Sequence, residues 1–377
     1  MIKFPLFKSL IICLWFSLIL LLVFGSGVGL HYKVSPFLVL LSTLIIFYNN
    51  QKIRSKIIQT LLGFILISFI TSYHYFLHID HRASYISYFC YSITGFIVAI
   101  TTYTTIKKDR RMINVIYYLM ILFFIIGIFR FFRASSQIAY LHANTAYYFI
   151  LMPLPCLLIK SNQRLFHISL LSVATILSVL SIKRGAIISV FLLWCIYFYY
   201  TFKFSKKSFL YICATMLIVG LFLVPKVNIS NFSESATQLE ERMSLIGEDG
   251  GSGRDAIIKS FFENDFNDVL RIPELFIGNG FEGTFYKYKV LSSLHNDFLE
   301  VTFCLGLVGL ILLCILYYRL IKRTRSLYRC NSELIIPYIS MVTLFIFFSI
   351  IGCNFNYYYL SLPLFLSLGI LEGIYSI

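Results

Sequence analysis

The residues best equipped for chemistry in this 377-residue chain stand in short polar stretches at the edges of long apolar runs. In Ser292-Ser293-Leu294-His295-Asn296-Asp297-Phe298-Leu299-Glu300, an imidazole close to neutral at working pH sits beside an amide and two carboxylates. A His in that state can take a proton from an attacking hydroxyl, with its neighbours orienting it or a substrate. The stretch also has a structural reading. Asn296 is a good N-cap, and Asp297 and Glu300 in a first turn suit the positive end of a helix dipole. That reading covers Asn296 and Asp297 and leaves His295 open between a structural and a catalytic role.

Two further stretches point to an anion. Ser181-Ile182-Lys183-Arg184-Gly185 places two cations before a glycine that permits a tight turn with free backbone N–H groups. A guanidinium binds phosphate oxygens bidentately, although an Arg at a helix end also snorkels to lipid headgroups. Gly250-Gly251-Ser252-Gly253-Arg254-Asp255 precedes a helical pattern and reads either as an anion nest or as a surface turn with an ordinary cap. Arg130 and Arg133, with His142 and Asn144 shortly after, form a smaller polar group. His74, His78, Asp80, His81 and Arg82 have a spacing that fits one helix face, but no second ligand group stands elsewhere, so no metal site is expected. Gly25-Ser26-Gly27-Val28-Gly29 lacks a preceding strand and is no dinucleotide fingerprint. The nine cysteines are scattered singly, eight of them in or beside apolar runs, and read as small buried residues.

The elements that must position these residues follow from composition. The chain is 59% apolar and 13% charged, with mean hydropathy +0.82. An ordinary soluble chain is roughly 25% charged, so a soluble enzyme, a nucleic-acid binder and a disordered scaffold are all poor readings. Apolar runs fall at about 9–24, 34–48, 57–76, 84–103, 112–132, 137–159, 165–182, 185–202, 208–225, 298–318, 334–352 and 356–374. Runs of this length suit helices that cross a bilayer. The expected fold is an all-α polytopic membrane protein of about twelve transmembrane helices. Helices 1–9 occupy 1–225, a large hydrophilic loop with its own short helices spans 226–293, and helices 10–12 occupy 294–377. The first run has Lys3 and Lys8 before it but a weak cleavage site, and reads as a retained helix. The loop is mixed in sign and contains no cysteine.

Charge gives the expected orientation. With the N-terminus inside, nineteen Lys and Arg fall in inner segments and six in the short outer connections (Lys33, Arg82, Arg130, Arg133, Lys183, Arg184). Basic residues are retained on the cytoplasmic side, which puts both termini in the cytoplasm and the 226–293 loop outside. The net charge of +15 therefore reports topology before it reports any partner.

The ordered set Ser181-Ile-Lys-Arg184-Gly185, Gly253-Arg254-Asp-Ala-Ile257, Phe276-Ile-Gly278-Asn-Gly280 and His295-Asn296-Asp297-Phe-Leu-Glu300, followed by Leu305-Gly306-Leu307-Val308-Gly309-Leu310, resembles the O-antigen ligase and polymerase superfamily. The similarity covers about residues 130 to 318, and upstream of that only span count and topology agree. Lys183 departs from the pattern, since many relatives have a small polar residue there. The resemblance implies a membrane glycosyltransferase with a GT-C-like helical fold in the bacterial inner membrane. Its active site would face the periplasm, with no cofactor, no metal and no nucleotide sugar. The donor would be a glycan on undecaprenyl diphosphate, with membrane lipids, a chain-length regulator and a flippase as further partners and no nucleic acid.

Carried onto this chain, the resemblance makes Arg184 and Arg254 the diphosphate-binding arginines and His295 the base, which together form the catalytic set. Lys183, Asn296, Asp297, Glu300, Arg130 and Arg133 become substrate-binding candidates. Attack of an acceptor hydroxyl on the anomeric carbon would invert it. The expected function is O-antigen polymerase, adding the growing chain to a lipid-linked repeat unit. A ligase transferring the glycan to lipid A-core shares the donor chemistry, and a flippase or secondary transporter is the alternative of another class. A transporter is expected to show midplane ionisable groups and paired repeats, and neither is evident here.

Overall fold

A computed structural model describes residues 28–76, 82–137, 148–160, 162–181, 184–202, 259, 272–280, 296–330, 332–351 and 358–376. The regular elements among the described residues are helices: α1 (Val28–Asn49), α2 (Lys56–Phe76), α3 (Arg82–Lys108), α4 (Met112–Gln137), α5 (Leu154–Leu157), α6 (Arg164–Leu180), α7 (Arg184–Phe202), α8 (Glu274–Ile277), α9 (Asp297–Arg329), α10 (Ile335–Ile351) and α11 (Tyr358–Tyr375). Five contain stretches long and apolar enough to cross a membrane: Lys56–Tyr73, Phe89–Lys108, Met112–Phe132, Gly185–Phe202 and Asp297–Arg329. Helices satisfy their own backbone groups where no water is available, so this is the architecture of a multi-pass membrane protein. The runs at 9–24 and 208–225, and most of the 226–293 segment, lie outside the described residues.

The helices extend the apolar runs in ways the residues explain. α9 runs for 33 residues because its polar continuation, Arg319 to Arg329, keeps good helix formers after the apolar part ends. Gly306 breaks it, and the 23 residues beyond that point span about 35 Å at 1.5 Å per residue, enough to cross a hydrocarbon core of about 30 Å. Of the run at 137–159, residues 148–159 are described, and Tyr148–Leu157 forms a short apolar helical stretch with a turn at Met152 and Pro153 before α5. Pro153 and Pro155 have no N–H to offer the carbonyls of Phe149 and Leu151, so two bonds of the ladder are lost there, while Met152 N and Leu157 N still donate to the Tyr148 and Pro153 carbonyls at 2.9 and 3.1 Å.

α3 lies at the centre, almost wholly buried, with α1, α2 and α11 packed around it. Its small and hydroxylated residues make that possible. Thr94, Thr101 and Thr102 donate to the carbonyls of Cys90, Ile97 and Val98 at 2.6, 2.7 and 2.8 Å, so their hydroxyls are satisfied within the helix. On α11, Gly369 and Gly373 stand four residues apart and face α3. A Cβ at Gly369 would fall 2.4 Å from the carbonyl oxygen of Ala99, and one at Gly373 would fall 2.9 Å from Ile106 Cβ. Small residues at this spacing let two backbones approach closely, the usual basis of helix association in lipid.

One end of the bundle gathers basic residues. Lys107 Nζ donates to the carbonyl of Lys52 at 2.7 Å, Lys108 Nζ to that of Tyr48 at 3.0 Å, and Arg319 to Thr60 Oγ1 at 2.7 Å and to the Lys56 carbonyl. Beneath them Glu372, fully buried, accepts from Arg323 Nε and Nη2 at 3.3 and 3.2 Å, from Tyr338 OH at 2.9 Å and from Ser55 Oγ at 2.6 Å. One carboxylate thus ties α9, α10, α11 and the start of α2 together, and Arg323 also stacks 3.7 Å from the Tyr375 ring centroid.

Candidate functional site

The opposite end holds the polar stretches singled out in the sequence, and its geometry begins with a break in α9. Gly306 has φ 64° and ψ −164°, a conformation essentially confined to glycine. The break frees the carbonyls of Phe303 and Cys304 from the helical ladder. The backbone N–H groups of Asn279 and Gly280 take them at 2.8 and 3.0 Å. Gly278, at φ 79°, lies so close that a Cβ there would meet the Cys304 carbonyl oxygen at 2.2 Å, and a Cβ on Gly306 would meet the Phe276 carbonyl oxygen at 2.4 Å. Thr71 Oγ1 of α2 donates to the Ile277 carbonyl at 2.7 Å and holds the segment from the other side. Phe276–Gly280 and Phe303–Gly306 are therefore two halves of one contact.

Nearly three turns before the break, Asn296 adopts an extended conformation and caps α9. Its Oδ1 accepts from the N–H of Phe298 and Leu299 at 3.0 and 3.2 Å, while Nδ2 donates to the Ile350 carbonyl at 3.3 Å. One end of this amide thus caps α9 and the other ties α9 to α10. Asp297 is fully buried and accepts from Ser349 Oγ at 2.5 Å, and Ser349 in turn bonds the Tyr317 hydroxyl. Glu300 is also buried.

The start of α7 reaches the same place. A Cβ on Gly185 would lie 2.8 Å from Ile351 Cδ1, so the residue after Arg184 approaches the residue after Ile350. Arg130, near the far end of α4, has its guanidinium carbon 4.6 Å from the Phe149 ring centroid, and the neighbouring Tyr148 packs 4.9 Å from the ring of Phe348 on α10. The N-termini of α7 and α9 both open toward this end, a polarity that suits an anion, although Asp297 and Glu300 already place two buried carboxylates in the first turn of α9.

Of the residues expected to act, Arg184, Arg130, Asn296, Asp297 and Glu300 fall at this end. Arg133 lies on α4, three residues beyond Arg130, and its side chain is outside the described set, as is that of Arg184. His295, Arg254 and Lys183 lie outside the described residues, His295 immediately before the Asn296 cap. The side chains of the His74 to Arg82 cluster are likewise outside the described set, and among the described residues no group of three or more His, Cys, Asp or Glu could hold a metal. Sequence reasoning missed Ser349, Tyr317 and Thr71, which sit inside apolar runs. Only a polar residue at an otherwise apolar position marked them.

No protein-family model matches the chain, and no curated protein matches it. The class the described fold defines is a multi-pass helical membrane protein.

Proposed function

We propose that the chain is a membrane glycosyltransferase that adds a glycan carried on undecaprenyl diphosphate to a lipid-linked repeat unit, as an O-antigen polymerase does, at the periplasmic face of a bacterial inner membrane. The observation that supports this reading is the convergence of motif-bearing stretches distant in sequence. The start of α7 after Arg184, the Phe276–Gly280 segment and the Asn296–Gly306 half-helix meet at one end of the bundle, away from its basic end. The gathering of basic residues at the other end favours placing that other end in the cytoplasm.

In the proposed reaction Arg184 and Arg254 hold the diphosphate. The acceptor hydroxyl oxygen attacks the anomeric carbon, its proton passes to His295, and the bond from that carbon to the diphosphate oxygen breaks. The product is a longer glycan, inverted at that carbon, and free undecaprenyl diphosphate. Charge builds on the departing diphosphate, and losing one preorganised donor to such a charge costs roughly a hundredfold to a thousandfold in rate. A positioned base contributes about 10² to 10⁴. Asn296, with both ends of its amide engaged, positions the His295 segment, and Asp297 does so through Ser349. Glu300, Lys183, Arg130 and Arg133 are assigned to the substrate's sugars and phosphates.

The test is a set of single variants, His295→Ala, Arg184→Ala and Arg254→Ala, expressed at wild-type level in a strain lacking the gene and scored on a glycan ladder. The reading expects core bearing a single repeat in each. Bare core with polymer left on its carrier indicates a ligase, and an unchanged ladder in all three removes the proposal.

A further inference from the structure

At the basic end a second site stands apart from the one above. Where the chain passes from α5 to α6, an open groove of about 940 Å³ lies between Tyr117, Tyr118 and Ile121 of α4, Lys160, Asn162 to Phe166, and Glu333. Its polar wall is built. Tyr117 OH donates to Gln163 Oε1 at 2.7 Å, and Lys160 Nζ is held 4.2 and 5.1 Å from the ring centroids of Tyr117 and Tyr118. Gln163, engaged by Tyr117, makes no side-chain cap to α6, whose N-terminus opens here. Lys160 and Arg164 against Glu333 leave one net positive charge on the wall.

The apolar side of the groove continues along the surface. Tyr118 is 62% exposed and Leu165 is 83% exposed. From Tyr118 the exposed face of α4 runs through Leu122, Ile125, Phe129 (71%) and Phe132, at alternating spacings of four and three. That is one stripe of a helix, and it extends about 21 Å away from the cations. A charged groove at the end of the bundle with an apolar stripe leading from it matches a headgroup with acyl chains below it. A water-soluble phosphate would make no use of the stripe.

We propose that this groove binds one anionic glycerophospholipid, with its phosphate on Lys160 and Arg164, its headgroup hydroxyls on Gln163 and Glu333, and an acyl chain along the Tyr118–Phe132 stripe. Arg and Lys between helix ends are a known form of headgroup site. The single negative charge of phosphatidylglycerol matches the single net positive charge of the wall. The site is independent of the glycosyltransferase reading and stands or falls without it.

The experiment is native mass spectrometry of the full-length, delipidated protein titrated with phosphatidylglycerol or phosphatidylcholine. Wild type should retain one phosphatidylglycerol with about tenfold preference: phosphatidylcholine offers the same phosphate, but it has no headgroup hydroxyls for Gln163 and Glu333 and brings a cation to a wall of net positive charge. Lys160→Gln with Arg164→Gln should abolish the preference while leaving the lipid-free melting midpoint in place, and Lys160→Arg should keep it. Phe129→Asn should weaken binding of the lipid. Equal binding of the two lipids, an undiminished preference in the double variant, or displacement of the lipid by millimolar glycerol phosphate would overturn the assignment. The last result would make the site one for a soluble phosphate.

Discussion

Replacing Gly278 by Ala tests whether the Phe276–Gly280 segment is fixed by its contact with the broken helix. The new Cβ would stand 2.2 Å from the Cys304 carbonyl oxygen and 2.3 Å from both the Cys304 carbonyl carbon and Leu305 N. All three are backbone atoms, so no side chain can swing aside. The segment must retreat by about 1 Å or more to reach ordinary contact. That movement carries the bonds from Asn279 N to Phe303 O (2.8 Å) and from Gly280 N to Cys304 O (3.0 Å) beyond useful range. Each buried carbonyl left without a donor costs about 1–3 kcal/mol, and a Cβ at this backbone conformation costs about 1–3 kcal/mol more. The contact is weakened by about 3–9 kcal/mol, comparable with the net stability of a whole domain. Undocking of the segment is the expected response. Hydrogen exchange should show it in peptides covering 272–280 and the turn before Gly306, as an acceleration of about a hundredfold or more. Exchange at the wild-type rate in Gly278→Ala would refute the argument that these glycines are required by the approach of two backbones.

Three other perturbations follow from the same geometry. Glu372→Ala leaves the half-buried Arg323 and the Tyr338 hydroxyl without their acceptor and should cost about 3–5 kcal/mol, read as a lowered melting midpoint, whereas Glu372→Gln, which keeps an acceptor, should lose less. Ser349→Ala removes the hydroxyl between Asp297 and Tyr317 and should cost about 1–3 kcal/mol, measured by denaturation in mild detergent; no change would mean that Asp297 is held by other groups. Gly369→Leu drives a side chain into the Ala99 carbonyl and Thr102 on α3 and should reduce the yield of folded, monodisperse protein, while a Leu at the exposed Ser169 of α6 should not.

Much of the helical frame is legible in the sequence because an apolar run of about twenty residues has few other fates in a chain so poor in charge. The Asn296 cap is legible for a similar reason: a side-chain acceptor before two carboxylates and an apolar run is a local signal, and the structure makes that cap. The turn at Met152–Pro153 goes with the two prolines, which hydropathy alone does not register. Long-range partners are the part that could not be read. Nothing local says that Gly278 faces Gly306, that Ser349 bonds Asp297, or that Glu372 collects donors from three other elements. A serine in an apolar run looks the same whether it bonds its own helix, as Ser68 does with the Phe64 carbonyl, or a carboxylate on another. Lys160 and Arg164 are two of the nineteen inner basic residues, and their part in that count says nothing of the groove they wall with Tyr117.

The most direct measurement of the proposed activity uses purified protein reconstituted in liposomes without any ion gradient and supplied with an undecaprenyl-diphosphate-linked repeat unit. The account predicts a ladder of longer lipid-linked glycans with release of undecaprenyl diphosphate, reduced by about 10² or more in His295→Ala. A substrate that is never extended, one extended only when a gradient is imposed, or one extended at the wild-type rate by His295→Ala would contradict it.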